Sequence, residues 1–89
     1  MTAPEKGEIR FPCPWEMRVI AMADQGAAVR SALVSLLERD GQAPAVADGA
    51  ASAGGKYVAF RVTFTAYDRK YLEGFVRAVS SVPGVKMLL

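Results

Sequence analysis

Three basic residues, Arg18, Arg61 and Lys86, occur in segments whose alternation of apolar and polar side chains predicts β-strands. Arginine and lysine on a sheet can bind phosphate or carboxylate groups through charge-assisted hydrogen bonds. Like charges on neighbouring strands repel, and only Glu16 is placed to offset that repulsion. The pattern therefore predicts a site for an anionic ligand or an acidic partner. It is also typical of a solvated sheet face that binds nothing.

The residue types that most enzymes and metal sites require are scarce in this chain. It has no histidine, no asparagine and one cysteine, Cys13. Nucleophilic catalysis needs a base beside the nucleophile, and zinc sites need clusters of cysteine and histidine. Most carboxylates fall at the ends or surfaces of predicted helices, where capping or solvation accounts for them. We therefore expect a protein that is not an enzyme and that binds no metal or cofactor.

Length and composition predict one small folded domain. The chain has 89 residues, of which 52% are hydrophobic and 22% charged, and its net charge is +2. This balance excludes a disordered tail, and the charge is small for a dedicated nucleic-acid-binding protein. The polar residues 1–10 lack the pattern of a secretory signal, and no stretch is apolar enough for a membrane span. We expect a cytoplasmic protein with a flexible N-terminal lead-in at residues 1–10 and one domain at residues 11–89.

Six elements follow from the periodicity of the apolar residues. Helices are predicted between an Asp24 cap and Gly41, and between an Asp68 cap and Pro83. Strands are predicted at residues 15–23, 44–52, 57–66 and 85–89, with the alanine-rich second one at an edge of the sheet.

The order strand, helix, strand, strand, helix, strand predicts an α+β fold, the ferredoxin-like βαββαβ sandwich. Its four-stranded antiparallel sheet has the first and third strands at the centre, and right-handed crossovers place both helices on one face. Alternation directs Met87 towards the helices and Leu88 away from them. The predicted interaction face on the uncovered side comprises Arg18, Ile20, Met22, Tyr57, Arg61, Lys86 and Leu88.

Two segments near the ends of the chain are distinctive: Phe11-Pro12-Cys13-Pro14-Trp15 and Val85-Lys86-Met87-Leu88-Leu89. They resemble the opening and terminal motifs of the YbeD-like family of small bacterial proteins. Gly55-Lys56-Tyr57-Val58 stands where the family has a turn into its third strand. The alanine-rich second strand and the absence of a histidine after the first helix depart from the pattern. The resemblance, over residues 9–89, implies a ferredoxin-like, ACT-like fold without a settled biochemical activity.

An ACT-like fold implies a second candidate site at Asp24-Gln25-Gly26. These residues are similar to the ACT pattern at the start of the first helix, where backbone N–H groups bind an amino acid or small anion, usually across a dimer interface. A capping aspartate near a glycine is also ordinary helix-start chemistry.

The function predicted from these features is ligand or protein binding by a small regulatory or interaction domain, as a homodimer. The alternative is an RNA-binding module that uses the basic sheet face. RNA-recognition domains of this fold stack bases on aromatic residues of the two central strands. Here the third strand offers Tyr57 and the first strand offers none.

Overall fold

The computed structural model describes residues 10–49 and 53–89, so the predicted lead-in falls almost wholly outside the described residues. The helices and strands are β1 (Cys13–Met22), α1 (Gly26–Arg39), β2 (Val46–Asp48), β3 (Tyr57–Ala66), α2 (Arg69–Ser80) and β4 (Val85–Leu88). Short 3-10 turns occupy Ala23–Gln25 and Ala53–Gly55. The sheet order is β2-β3-β1-β4, with every pair antiparallel. The predicted ferredoxin-like fold, with the first and third strands at the centre, is confirmed.

The core lies between one face of the sheet and the two helices. Alternate residues of β1 and β3 are buried there because successive strand side chains point to opposite faces. The helices add residues at three- and four-residue spacing. The buried set includes Met17, Val19, Ala21, Phe60, Val62, Phe64, Val29, Leu33, Leu37, Leu72, Phe75 and Val79. All these side chains form one cluster on the helix side, and no helix of the described residues covers the opposite face of the sheet.

The register of the two central strands decides which residues of the uncovered face become neighbours. β1 and β3 pair along their full length, from Cys13 opposite Ala66 to Met22 opposite Tyr57. On its other side β1 pairs with β4 only around Val19 to Ala21. The N-terminal half of β1 therefore has no strand beside it on the β4 side among the described residues.

A β-bulge in β4 makes part of the predicted interaction face wrong. Val85 lies opposite Ala21 and Met87 opposite Ile20, so Lys86 is an additional residue in β4. Beyond the bulge the alternation is reversed. Leu88 lies opposite Val19 and packs against the core, whereas Met87 is 50% exposed. Met87, not Leu88, belongs to the uncovered face.

The two helices begin differently. The Asp68 side chain accepts a hydrogen bond from the Tyr71 N–H at 2.7 Å, which confirms the predicted cap of α2. The predicted Asp24 cap of α1 is wrong, because Asp24 lies inside the 3-10 turn and the N-cap residue is Gln25, without a side-chain hydrogen bond. The Gly26 N–H donates to the Ala23 carbonyl and closes the 3-10 turn ahead of the helix. Gly26 is buried against β3, where a Cβ would lie 3.2 Å from Val58 Cγ2.

β2 is also shorter than predicted, and Gln42 extends its pairing with a side chain. The Gln42 Nε2 donates to the Thr65 carbonyl at 2.9 Å, and its Oε1 accepts from the Thr65 N–H at 3.0 Å. The same Nε2 donates to the Tyr71 hydroxyl at 3.2 Å. Gln42 therefore connects the segment after α1 to both β3 and α2. Residues 50–52 of the predicted strand lie outside the described residues.

The Tyr71 hydroxyl continues this network by donating to Asp40 at 2.8 Å. A hydrogen bond from the Arg39 side chain lowers the pKa of the Asp40 carboxyl, and the bond from Tyr71 contributes in the same direction. Burial, and then the hydrogen bond to Asp40, raise the pKa of the Tyr71 hydroxyl. At neutral pH the tyrosine is therefore a protonated donor facing a charged acceptor.

Candidate functional site

The uncovered side of the sheet, called the open face below, is formed by residues of all four strands. Along β1 and β3, the residues of this face alternate with residues that are buried against the helices, and the register aligns them across the sheet. The open-face residues are Pro14, Glu16, Arg18, Ile20, Met22, Ala47, Tyr57, Ala59, Arg61, Thr63, Thr65 and Met87. Lys86 is exposed at the bulge beside this face. The structure thus brings together every predicted interaction residue except Leu88.

Arg18 and Arg61 lie directly opposite each other at the centre of the open face. The Arg18 N–H and C=O both bond to Leu89, at 3.2 and 2.8 Å, so they point away from β3. Arg18 and Arg61 therefore form a non-hydrogen-bonded pair, the kind whose Cα atoms approach to about 4.5 Å and whose side chains are closest. The two central strands hold the two guanidinium groups next to each other.

One carboxylate partly offsets this pair of positive charges. The Glu16 Oε2 lies 3.8 Å from the Arg61 Nε, and the side chains are 61% and 54% exposed. Water screens such an exposed contact, so it contributes little to stability. Among residues 10–49 and 53–89, no other carboxylate forms an ion pair with either arginine. The centre of the open face therefore carries a net positive charge.

Two shallow depressions flank the arginines. One, of about 370 Å³, has Ile20, Tyr57 and Ala59 in its lining, and the other, of about 270 Å³, has Glu16 and Leu89. Both are also lined by Arg18 and Arg61. An anion in either depression would be in reach of both guanidinium groups, each of which presents a planar set of N–H donors.

An apolar patch adjoins the arginines on the same face. Ile20 lies opposite Met87, and Met22 lies opposite Tyr57. Met22 is 37% and Met87 50% exposed. The apolar patch, defined here as Ile20, Met22, Tyr57 and Met87, extends from the arginine pair to the C-terminal end of β1. Sequence alternation could not assign Met87 to it, because the bulge has no sequence signal of its own.

Replacing Arg18 with threonine is expected to stabilise the fold. Like charges directly opposite each other in a sheet are unfavourable, and threonine suits a strand, so the free energy of unfolding should rise by about 0.5 kcal/mol. Urea denaturation measures this change. The matched variant Glu16→Thr removes the offsetting carboxylate and should instead lower the free energy of unfolding slightly. A loss of stability in Arg18→Thr would contradict the proposed repulsion.

The second candidate site, Asp24-Gln25-Gly26, lies at the end of the apolar patch. Asp24 is exposed and, with Met22 and Tyr57, lines a further depression. The two N–H groups that precede Asp24 in the chain are already used: that of Met22 donates to the Gly84 carbonyl, and that of Ala23 to the Lys56 carbonyl, both at 2.9 Å. Ligand binding by this turn stays a prediction, and the structure places it next to the open face.

Residues 10–49 and 53–89 contain neither a cluster of metal-binding side chains nor a helix suited to span a membrane. No three histidine, cysteine, aspartate or glutamate side chains are grouped as a metal site would require. No helix in these ranges is both long and apolar enough to cross a bilayer.

Comparisons with known proteins identify a family and support the fold. The family model described as "Protein of unknown function (DUF493)" matches residues 6–89. The solution structure of protein HP0495 from H. pylori is 23% identical, with a TM-score of 0.77 over 96% of this chain and 89% of that chain. The C-terminal domain of the MgtC protein from Mycobacterium tuberculosis is 20% identical, with a TM-score of 0.62 over 92% and 88%. No curated protein matches the chain in sequence. At these identities the two structures show a shared fold.

Proposed function

This chain belongs to the DUF493 family of proteins of unknown function, and we propose, from the residues on its own surface, that it is a non-catalytic binding domain. Its resemblance to the YbeD-like proteins predicted this family. Its open face binds an anionic group. The family is one of unknown function and names no reaction, so the proposal rests on the residues of this surface. The proposal is therefore one of regulation or interaction through binding.

The observation that carries this proposal is the pairing of Arg18 with Arg61 at the centre of the open face. The pair is unfavourable in the free protein, since one exposed carboxylate at 3.8 Å offsets it only in part. A bound carboxylate or phosphate between the guanidinium groups would replace this repulsion with two charge-assisted interactions. An arrangement that lowers stability but favours a ligand is typical of functional sites.

The predicted homodimer remains part of the proposal, with one constraint on its interface. The dimer must leave the open face accessible. β2 is the outer strand of the sheet in the part of the chain that the structure describes, and its edge is one available contact. It is only three residues long, and Asp48 on it forms an exposed ion pair with Arg30 at 3.0 Å. Short, charged edge strands resist pairing. If the dimer uses this edge, we therefore expect its formation to depend on protein concentration.

Titration with small anions tests the proposed function. Inorganic phosphate, aspartate and glutamate would each be added to the isotope-labelled chain while amide proton–nitrogen correlation spectra are recorded. Phosphate should shift the amide signals of Arg18, Arg61 and Ala59 in a saturable manner. A carboxylate ligand that also uses the second candidate site should additionally shift Asp24, Gln25 and Gly26.

The double variant Arg18→Gln/Arg61→Gln should lose these shifts, because it removes both charges from the open face. Arg77→Gln removes a charge from the exposed surface of α2 and should retain them. Shifts spread evenly over all basic residues, or equal shifts in the double variant, would contradict the proposed site.

A further inference from the structure

We infer, on the basis of the proposed function, that the open face binds an amphipathic helix of another protein, with a carboxylate beside apolar side chains. This inference narrows the anionic group to one class of partner. It depends on the charge of the arginine pair, on the composition of the apolar patch, and on the spacing between them.

The apolar patch requires a partner that is more than a free anion. Met22 and Met87 are 37% and 50% exposed, and half-buried Ile20 lies between them and the arginines. Methionine is flexible and polarisable, and it is common on surfaces that adapt to a partner's apolar side chains. A phosphate ion would contact the arginines and leave this patch in water. A protein segment can cover both.

The spacing along β1 matches the spacing along a helix. Arg18, Ile20 and Met22 are alternate residues of one strand, so they project from the same face at intervals of about 7 Å. Residues four apart on one side of an α-helix are separated by about 6 Å. A helix lying along β1 would therefore place a glutamate at position i over Arg18 and Arg61. Its leucines at i+4 and i+8 would then lie over Ile20 and Met22.

A second copy of this chain does not supply a suitable surface. Two open faces in contact would bring four arginines together against two copies of Glu16. The exposed side of α2 carries Arg69, Lys70 and Arg77 against one carboxylate, Glu73, so it would repel the arginine pair. The exposed side of α1 carries Arg30 and Arg39 against one carboxylate, Glu38, and otherwise exposes alanine and serine, so it lacks the apolar side chains that the patch needs. The partner is therefore a helix of a different protein.

RNA is a poorer match to the same observations. Sequence-tolerant binding of single strands needs several aromatic side chains on which bases stack. Tyr57 is the one aromatic side chain among the open-face residues, and strand β1 contributes Ile20 and Met22 where a second platform would be needed. Thr63 and Thr65 continue β3 without adding positive charge.

Binding of three labelled helical peptides tests the inference by fluorescence anisotropy. The first carries glutamate at i and leucine at i+4 and i+8, the second has lysine in place of the glutamate, and the third has serine in place of both leucines. The first should bind the wild-type chain at least about tenfold more tightly than either of the others, and more weakly as salt rises.

Charge reversal supplies a readout that a structural effect would not produce. Arg61→Glu should weaken binding of the glutamate peptide by at least about tenfold, and the lysine peptide should bind Arg18→Glu/Arg61→Glu better than it binds the wild type. Met22→Ser/Met87→Ser should lower the affinity of the chain for the first peptide until it is close to the affinity for the serine peptide. Arg77→Glu makes the same change in charge on α2 and should leave binding unchanged.

The inference is overturned if the glutamate peptide does not bind, if charge reversal does not exchange the two peptides, or if a labelled single-stranded RNA binds more tightly than the peptide. Saturable phosphate shifts at Arg18 and Arg61 without peptide binding would leave the proposed function standing and refute the helical partner. Absence of both would refute both.

Discussion

Replacing Gly84 with alanine will lower the free energy of unfolding by about 3 kcal/mol, or the Tm by roughly 15 °C. Two separate effects contribute. Gly84 has a φ of 96°, a conformation that is strained for any residue with a side chain. A Cβ at this position would also lie 2.9 Å from Gln25 Cβ and 3.0 Å from Val29 Cγ2.

The close approach at Gly84 cannot be relieved by rotating one flexible side chain. The Gln25 Oε1, which would lie 2.6 Å from the new Cβ, can move into solvent. The Gln25 Cβ is fixed to its backbone, and Val29 is fully buried in α1. The turn between α2 and β4 would have to shift away from α1, and the hydrogen bond from the Met22 N–H to the Gly84 carbonyl would weaken.

Gly41→Ala is the matched control for Gly84→Ala. Gly41 has a φ of 73°, but no atom lies within 4 Å of a Cβ built there. Alanine at Gly41 should therefore cost only the backbone strain, about 1 kcal/mol. Urea denaturation of both variants separates strain from close packing. Equal losses would show that contact with Gln25 and Val29 contributes nothing at Gly84.

Replacing Gln42 with alanine will lower the free energy of unfolding by about 2 kcal/mol. The variant removes the two hydrogen bonds to the Thr65 backbone and the one to the Tyr71 hydroxyl. It leaves the Thr65 N–H and carbonyl, at the end of the β2 pairing, to be satisfied by water. The effect should appear as a lower urea midpoint and as faster amide exchange at Thr65.

Gln25→Ala provides the control for Gln42→Ala. It removes the same type of side chain from an exposed position where no side-chain hydrogen bond caps the helix, so the change should stay below about 0.5 kcal/mol. Similar changes in the two variants would contradict a stabilising role for the Gln42 hydrogen bonds.

The sequence predicted the central strands well because their signals are local and strong. β3 was predicted at residues 57–66 and spans Tyr57–Ala66, since valine and phenylalanine alternate with polar residues after two glycines of positive φ. The alternation predicts that Arg18 and Arg61 share one face, and the structure confirms it. Their direct opposition depends on the register of β1 with β3, which the sequence pattern does not specify.

The errors arose where contacts distant in sequence decided the local geometry. Asp24 has the residue type of a helix cap, but it lies in a 3-10 turn, and the helix starts at Gly26, which packs on Val58, a residue distant in sequence. Met87 and Leu88 exchange faces because β4 accommodates one additional residue against β1. The residues around Asp24 do not indicate the contact between Gly26 and Val58, and the residues around Met87 do not indicate the bulge. Periodicity alone therefore could not predict where α1 starts or which side chains of β4 face the core.

Among the described residues, the N-terminal half of β1 has no neighbouring strand on the β4 side, and this exposed rim affects the behaviour of the chain at high concentration. Pro14 and Arg18 are separated by an even number of positions in β1, so their backbone nitrogens point to the same side. The Pro14 nitrogen therefore points away from β3, to the side that β4 does not reach. A proline nitrogen carries no hydrogen, so an incoming strand finds no donor there. Pro14 therefore removes one donor from this rim and makes it a poorer template for an incoming strand.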